Sequence, residues 1–111
     1  MSHSITIPKL TGIVALTAAI LLLISCNNNT EHRHGETVFM GLCVNCHAQG
    51  INGAPIVGNA KMWSARIEQG LPTLIEHANN GYGLMPAKGG NNSLSDEDVA
   101  AAVTYMVHQL D

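Results

Sequence analysis

Cys43-Val44-Asn45-Cys46-His47 is the stretch on which the fold turns. Two thiols three residues apart stand about one helical turn from each other, on one side of a helix. Each can add to one of the two vinyl groups of a haem, and the imidazole that follows then reaches the iron from that side. The spacing therefore reads as covalent haem attachment. Three other uses of the pair compete. A thioredoxin-like dithiol normally opens a helix just after a strand, whereas this pair closes a helix. Half a zinc site needs a second cysteine pair, and His77 and His108 are not spaced as a finger requires. A bare disulfide explains neither His47 nor a suitable methionine downstream.

Working outward, Phe39, Leu42, Cys43 and Cys46 recur at i, i+3, i+4 and i+7, which predicts a helix over 35–46 with these residues on one face. A loop with Gly50, Gly53, Pro55 and Gly58 follows. A second helix is predicted over 60–69, with Trp63 and Ile67 on one side and Gly70 as its stop. Pro72 suits the first turn of a third helix ending near Asn79-Asn80-Gly81. The last helix starts at Ser95, with Asp96, Glu97 and Asp98 in its first turn and an apolar stripe of Val99, Val103, Met106 and Leu110. No segment alternates apolar and polar residues over a strand length. The expected fold class is all-α: a small domain of about four helices around one covalent haem.

An iron in a carrier takes a second axial ligand, and Met85 is the candidate. It sits in Gly83-Leu84-Met85-Pro86, where glycine lets the loop approach the ring and proline stiffens it. A thioether ligand raises the potential relative to a second histidine. Met40, Met62 and Met106 fall on predicted helices and read as packing. His77, on a polar helix face, reads as solvated and held off the iron by its own helix.

The chain has 111 residues and a net charge of −3, with no basic patch, so nucleic acid is not an expected partner. Residues 1–9 are polar with one basic side chain, Lys9. Residues 10–24 are apolar, broken only by Thr11, Gly12 and Thr17. That matches a signal-peptide core of roughly 7–15 residues and falls short of the ~20 that span a membrane. The run ends in Leu23-Ile24-Ser25-Cys26, which resembles the bacterial lipobox whose cysteine is lipidated; an uncleaved anchor is the alternative. The expected organisation is a signal peptide at 1–25, a lipidated terminus and polar linker at 26–34, and the haem domain at 35–111. Extended, the linker would reach about 25 Å. A mature chain of residues 26–111 has a marginal core, with one Phe, one Trp and two Tyr, and a covalent haem would supply apolar surface.

Gly35 and Phe39 stand eight and four residues before Cys43, the CxxCH motif is followed by Gly-x-Met-Pro, and the last helix carries Tyr105 behind a small residue, Ala102. On these features residues 35–110 resemble a class I c-type cytochrome. Gly53-Ala54-Pro55-Ile56-Val57-Gly58, Trp63-Ser64-Ala65-Arg66-Ile67 and the stretch 80–90 are similar to the short bacterial cytochromes of the c-five type. That subgroup commonly has a further cysteine pair after the methionine loop, where this chain has Asn91-Asn92-Ser93. The resemblance implies that the first and last helices cross on small residues and that His47 and Met85 are the axial ligands. It also implies that the Pro55 carbonyl fixes His47 through its Nδ1 proton, and that Trp63, Arg66 and Tyr82 lie at the haem edge or its propionates. Trp63 can pack in the core as well, and Arg66 and Lys88 read equally as solvated charges.

The function so implied is one-electron transfer between larger redox proteins on the periplasmic side of the membrane, with no small-molecule substrate. Contacts with donors and acceptors would be small and transient. Without the leader, four basic side chains face eight acidic ones, which suits partners with basic docking patches. Lipid on Cys26 would hold the domain at the membrane, on the outer face of the cytoplasmic membrane or in the periplasm. The competing readings are a haem enzyme reducing peroxide, for which no distal His/Arg pair is evident, a gas or redox sensor, and a fixed cytochrome subunit of a larger oxidoreductase.

Overall fold

Among the described residues of the computed structural model four helices form, and their ends explain why. The structure describes residues 28–111, and the chain divides into two units, Met1–Thr30 and Glu31–Asp111. The second unit contains α1 (31–47), α2 (Ala60–Ile67), α3 (Leu71–Asn80) and α4 (Asp96–His108). Short 3-10 turns at Ile51–Gly53 and Ala87–Gly90 lie between them. Helix α4 opens on a reciprocal cap: the Asp98 amide donates to the Ser95 hydroxyl and the Ser95 amide donates to the Asp98 carboxylate, both at 3.0 Å. The Asn59 side chain accepts from the Met62 amide to start α2. Pro72 lies in the first turn of α3, where its missing N–H costs nothing. Among the described residues the only β pairing is an isolated bridge between Tyr82 and Met85.

The core lies where α1 crosses α4. Gly35 is buried there, and a Cβ on it would stand 2.3 Å from the Ala101 carbonyl oxygen, so only glycine permits this approach. One turn on, Phe39 is buried with its ring centroid 5.4 Å from that of Tyr105. Burying a side chain of that size contributes about 1.5–3 kcal/mol. Trp63 of α2, Leu74 and Ala78 of α3, and Val99, Ala102, Val103 and Met106 of α4 complete the cluster.

The first helix departs from expectation in two ways. It begins before Gly35, so at least residues 31–34 of the expected linker are helical, and the domain boundary drawn at 35 falls inside a helix. Glu31, His32 and Arg33 are exposed, which is why their composition reads as a solvated linker. Yet His32 meets the Tyr105 ring edge-on at 5.2 Å, and His34 Nε2 lies 2.9 Å from the Asp98 carboxylate, so this turn is docked on α4. Second, α1 widens into a π-helical segment at Phe39–Cys43 before closing as Val44–His47. The wider turn splits the single expected face. Phe39 goes to the core, while Val38, Leu42, Cys43, Cys46 and His47 line a cavity. Met40, expected to pack, is instead 58% exposed, and Ile67 does not share the burial of Trp63.

Candidate haem site

A cavity of about 350 Å³ opens between α1, α3, α4 and the loops that join them. Its lining is mainly apolar, with Leu42, Leu74, Val99, Val103 and Met106 among the contributors. Cys43, Cys46 and His47 at the end of α1 and Met85 in the loop after α3 are all among its lining residues. Cys43 is half-buried, Cys46 is exposed and both are free thiols. Burial pushes the Cys43 thiol above its ordinary value of 9.0, so in the unmodified chain it is protonated at neutral pH.

His47 is buried and tied at both ring and backbone. Its Nδ1 lies 2.8 Å from the Pro55 carbonyl oxygen, and its own carbonyl accepts from the Val57 amide at 2.8 Å. A carbonyl only accepts, so Nδ1 carries the proton of this bond, and Nε2 is the ring nitrogen it leaves unused. Trp63 is buried beside it, with ring centroids 6.4 Å apart, and its indole N–H donates to the Ile56 carbonyl at 2.9 Å. Three consecutive residues, 55 to 57, are thus fixed by His47 and Trp63. Packing and ligand placement are one job for this tryptophan.

Met85 is presented by a two-residue hairpin. The Tyr82 and Met85 amides each donate to the other's carbonyl at 3.0 Å. Gly83, at φ 59°, takes the first central position, which favours glycine. The tip of this loop is open: Tyr82 is 60% and Leu84 77% exposed. Arg66 lines the cavity while Nη1 donates to the Met62 carbonyl of its own helix. Lys88 also lines it, but it is no free surface charge: Nζ donates to the Leu94 carbonyl at 2.8 Å and pairs with Asp96 at 2.7 Å.

This donor set fits a haem. A thiol pair lies at the lip, an imidazole with one nitrogen anchored offers the other, a thioether stands on a separate loop, and the walls between are apolar. The zinc alternative finds no support, since among the described residues no three His, Cys, Asp or Glu side chains come together to hold a metal ion. All the site residues singled out from 43 to 85 — Cys43, Cys46, His47, Pro55, Trp63, Arg66, Tyr82 and Met85 — line this one cavity. Cys26 and the leader lie outside the described residues. His77, which reads as solvated from the sequence, also lines the cavity and stacks on Tyr82 with centroids 4.1 Å apart and planes at 16°. The signal for it is the Asn79-Asn80-Gly81 helix stop, which folds residue 82 back over the last turn of α3.

Four helices among the described residues, a CxxCH motif closing the first, and a methionine hairpin on the same mainly apolar cavity define a class I c-type cytochrome. A family model described as "Cytochrome C oxidase, cbb3-type, subunit III" matches residues 30–106, and the chain belongs to this family of cytochrome c domains. It is 46% identical to cytochrome c-555 of Prosthecochloris aestuarii over 69% of this chain and 86% of the relative. It is 41% identical to cytochrome c-555 of Chlorobaculum tepidum over 86% of this chain and 92% of the relative. Cytochromes c5 are similar as well, at 34% identity for that of Azotobacter vinelandii, over 67% of this chain and 92% of the relative. Among solved structures, the cytochrome c in a crystal structure of an electron transfer complex with nitrite reductase superposes with a TM-score of 0.67. It is 33% identical and matches 70% of this chain and 95% of its own.

Proposed function

We propose that Cys43 and Cys46 would hold the haem covalently and that His47 and Met85 would be the two protein ligands of its iron. The protein is a monohaem electron carrier and not an enzyme, as its relatives are small electron-carrier cytochromes. When bound, the haem iron supplies the one-electron couple. Attachment needs no oxidant: each thiol adds across one vinyl group, sulfur to one carbon and hydrogen to the other. His47 gives the ring its fixed side, because the Pro55 carbonyl holds the Nδ1 proton and raises the basicity of Nε2. The observation that carries the assignment is this bond, which leaves one nitrogen of a buried imidazole for the cavity that also holds both thiols and Met85. Pro55 and Trp63 hold the ligand in place, and Arg66 and Tyr82 lie at the haem edge or its propionates.

The leader reading extends this proposal. The signal peptide at 1–25 and lipidation of Cys26 place the domain on the periplasmic side of the membrane, tethered by acyl chains. The match to the Chlorobaculum tepidum cytochrome covers more of this chain than residues 26–111 alone, so part of 1–25 also resembles that relative, which is compatible with this reading. Among the described residues no helix is long and apolar enough to cross a membrane. Its partners are larger respiratory redox proteins, a reading that the nitrite reductase complex of a similar cytochrome supports. The description of the family model favours a second reading, a fixed subunit of an oxidase. Recovery of the chain from detergent-solubilised membranes in stoichiometric association with a larger oxidoreductase would select it.

Intact mass of the exported protein under denaturing conditions tests both parts. Retention of one haem is expected, and its absence would end the cytochrome assignment. An added acyl mass on a chain starting at Cys26 is expected too; a full-length chain without it would point to an uncleaved anchor.

A further inference from the structure

Tyr82 is an exposed ring on a surface loop, yet its backbone makes both hydrogen bonds that close the Met85 hairpin. Something must hold it. The chain leaves α3 at Gly81, whose φ is 86° and whose added Cβ would meet the Ala87 nitrogen at 3.0 Å and the Met85 carbonyl oxygen at 3.1 Å. So tight a turn brings the hairpin back across the end of α3, and the Tyr82 ring lands on His77, nearly parallel. The backbone under His77 is fixed, because Leu74 and Ala78 on the same helix are buried in the core. A continuous line of contacts therefore runs from the core through α3 and His77 to Tyr82, and from Tyr82 to Met85.

We infer that His77 is a positioning residue for the methionine loop: its ring, stacked on Tyr82, sets how tightly Met85 is held at the cavity. The inference rests on the assignment of Met85 as second ligand. His77 touches neither iron nor electron partner in this role; it acts through Tyr82. A stacked ring pair shifts the balance between held and released loop by about two- to tenfold.

The test is the rate at which saturating imidazole binds the ferric holoprotein, because the incoming ligand must wait for Met85 to leave. His77→Ala is expected to speed binding about two- to tenfold. His77→Phe keeps a flat ring and is expected to restore the native rate. Tyr82→Ala should speed binding as His77→Ala does, and the double variant should be no faster than Tyr82→Ala alone. A native rate in His77→Ala overturns the inference, as does a fast His77→Phe, or effects that multiply in the double variant. Met85→Ala gives the rate with no ligand to displace. If the unmodified protein already binds that fast, Met85 is not a ligand and the inference goes with it. If it binds more slowly and His77→Ala changes nothing, only the role of His77 is lost.

Discussion

On the histidine side of the cavity, three consecutive residues are each tied by a hydrogen bond: Pro55 to the His47 ring, Ile56 to the Trp63 indole and Val57 to the His47 carbonyl. On the methionine side, a pair of backbone bonds, a ring stack and the packing of Met85 on the core hold a hairpin whose tip, Leu84, is 77% exposed. Local stability follows buried contacts and protected hydrogen bonds. The two walls therefore differ in degree: the first is pinned by buried His47 and Trp63, and the second packs Met85 against the core from a loop whose tip is open. If Met85 is a ligand as proposed, the site is expected to open first at this loop, and a change there should move the potential at least cost to the fold.

The largest contrast comes from removing each ligand in turn. His47→Ala deletes a buried ring and leaves the Pro55 carbonyl without its donor, so little holoprotein should accumulate, as read by haem absorbance per mole of chain. Met85→Ala should accumulate with its haem attached, lose the methionine-to-iron band, bind CO readily and show a lower potential. Equal yields and matching spectra from the two variants would erase the distinction between the walls.

A smaller change probes the core wall alone. Trp63→Phe keeps a buried ring but takes the donor from the Ile56 carbonyl. It should cost about 1–3 kcal/mol in denaturant unfolding of the holoprotein. The imidazole binding rate should stay native, since the methionine loop is untouched. Faster imidazole binding in this variant would mean that the two walls open together.

The sequence reading reached the histidine wall more fully than the methionine loop. The CxxCH spacing, the helix stops at Gly70 and Gly81 and the Ser95 cap are local signals, and all describe elements that form. Gly35 and Phe39 were legible through the resemblance to class I c-type cytochromes, whose end helices cross on small residues, and the structure places both at such a crossing. The π turn at Phe39–Cys43 was not, because a regular helical period already accounts for the apolar spacing, and only tertiary packing shows that Phe39 and Cys43 need different faces. The docked turn at 31–34 was hidden by polar side chains whose partners, Tyr105 and Asp98, lie over sixty residues away. His77 was hidden for the same reason on a shorter scale, since its stack forms only once Gly81 has reversed the chain.

The smallest expected effect serves as a control that should move neither wall. The Ser95 cap on α4 bonds only to Asp98, although its neighbours Leu94 and Asp96 hold Lys88, and losing such a cap costs about 0.5–2 kcal/mol. Ser95→Ala should lower stability by that order and leave both the potential and the imidazole rate unchanged. Its partner in the cap responds to pH. The Asp98 carboxyl is held below its ordinary value of 3.8 by hydrogen bonds from Ser95, with His34 adding to them. A carboxylate so held stabilises the fold fully above its unfolded value, and the contribution fades as pH falls below about 3.8 through the folded one. Acid titration of the native protein should therefore show loss of helix stability in that window, weaker in Asp98→Asn. A shift in potential that tracked the same window and vanished in Asp98→Asn would tie the cap to the site, and the methionine loop would then no longer be the one adjustable wall.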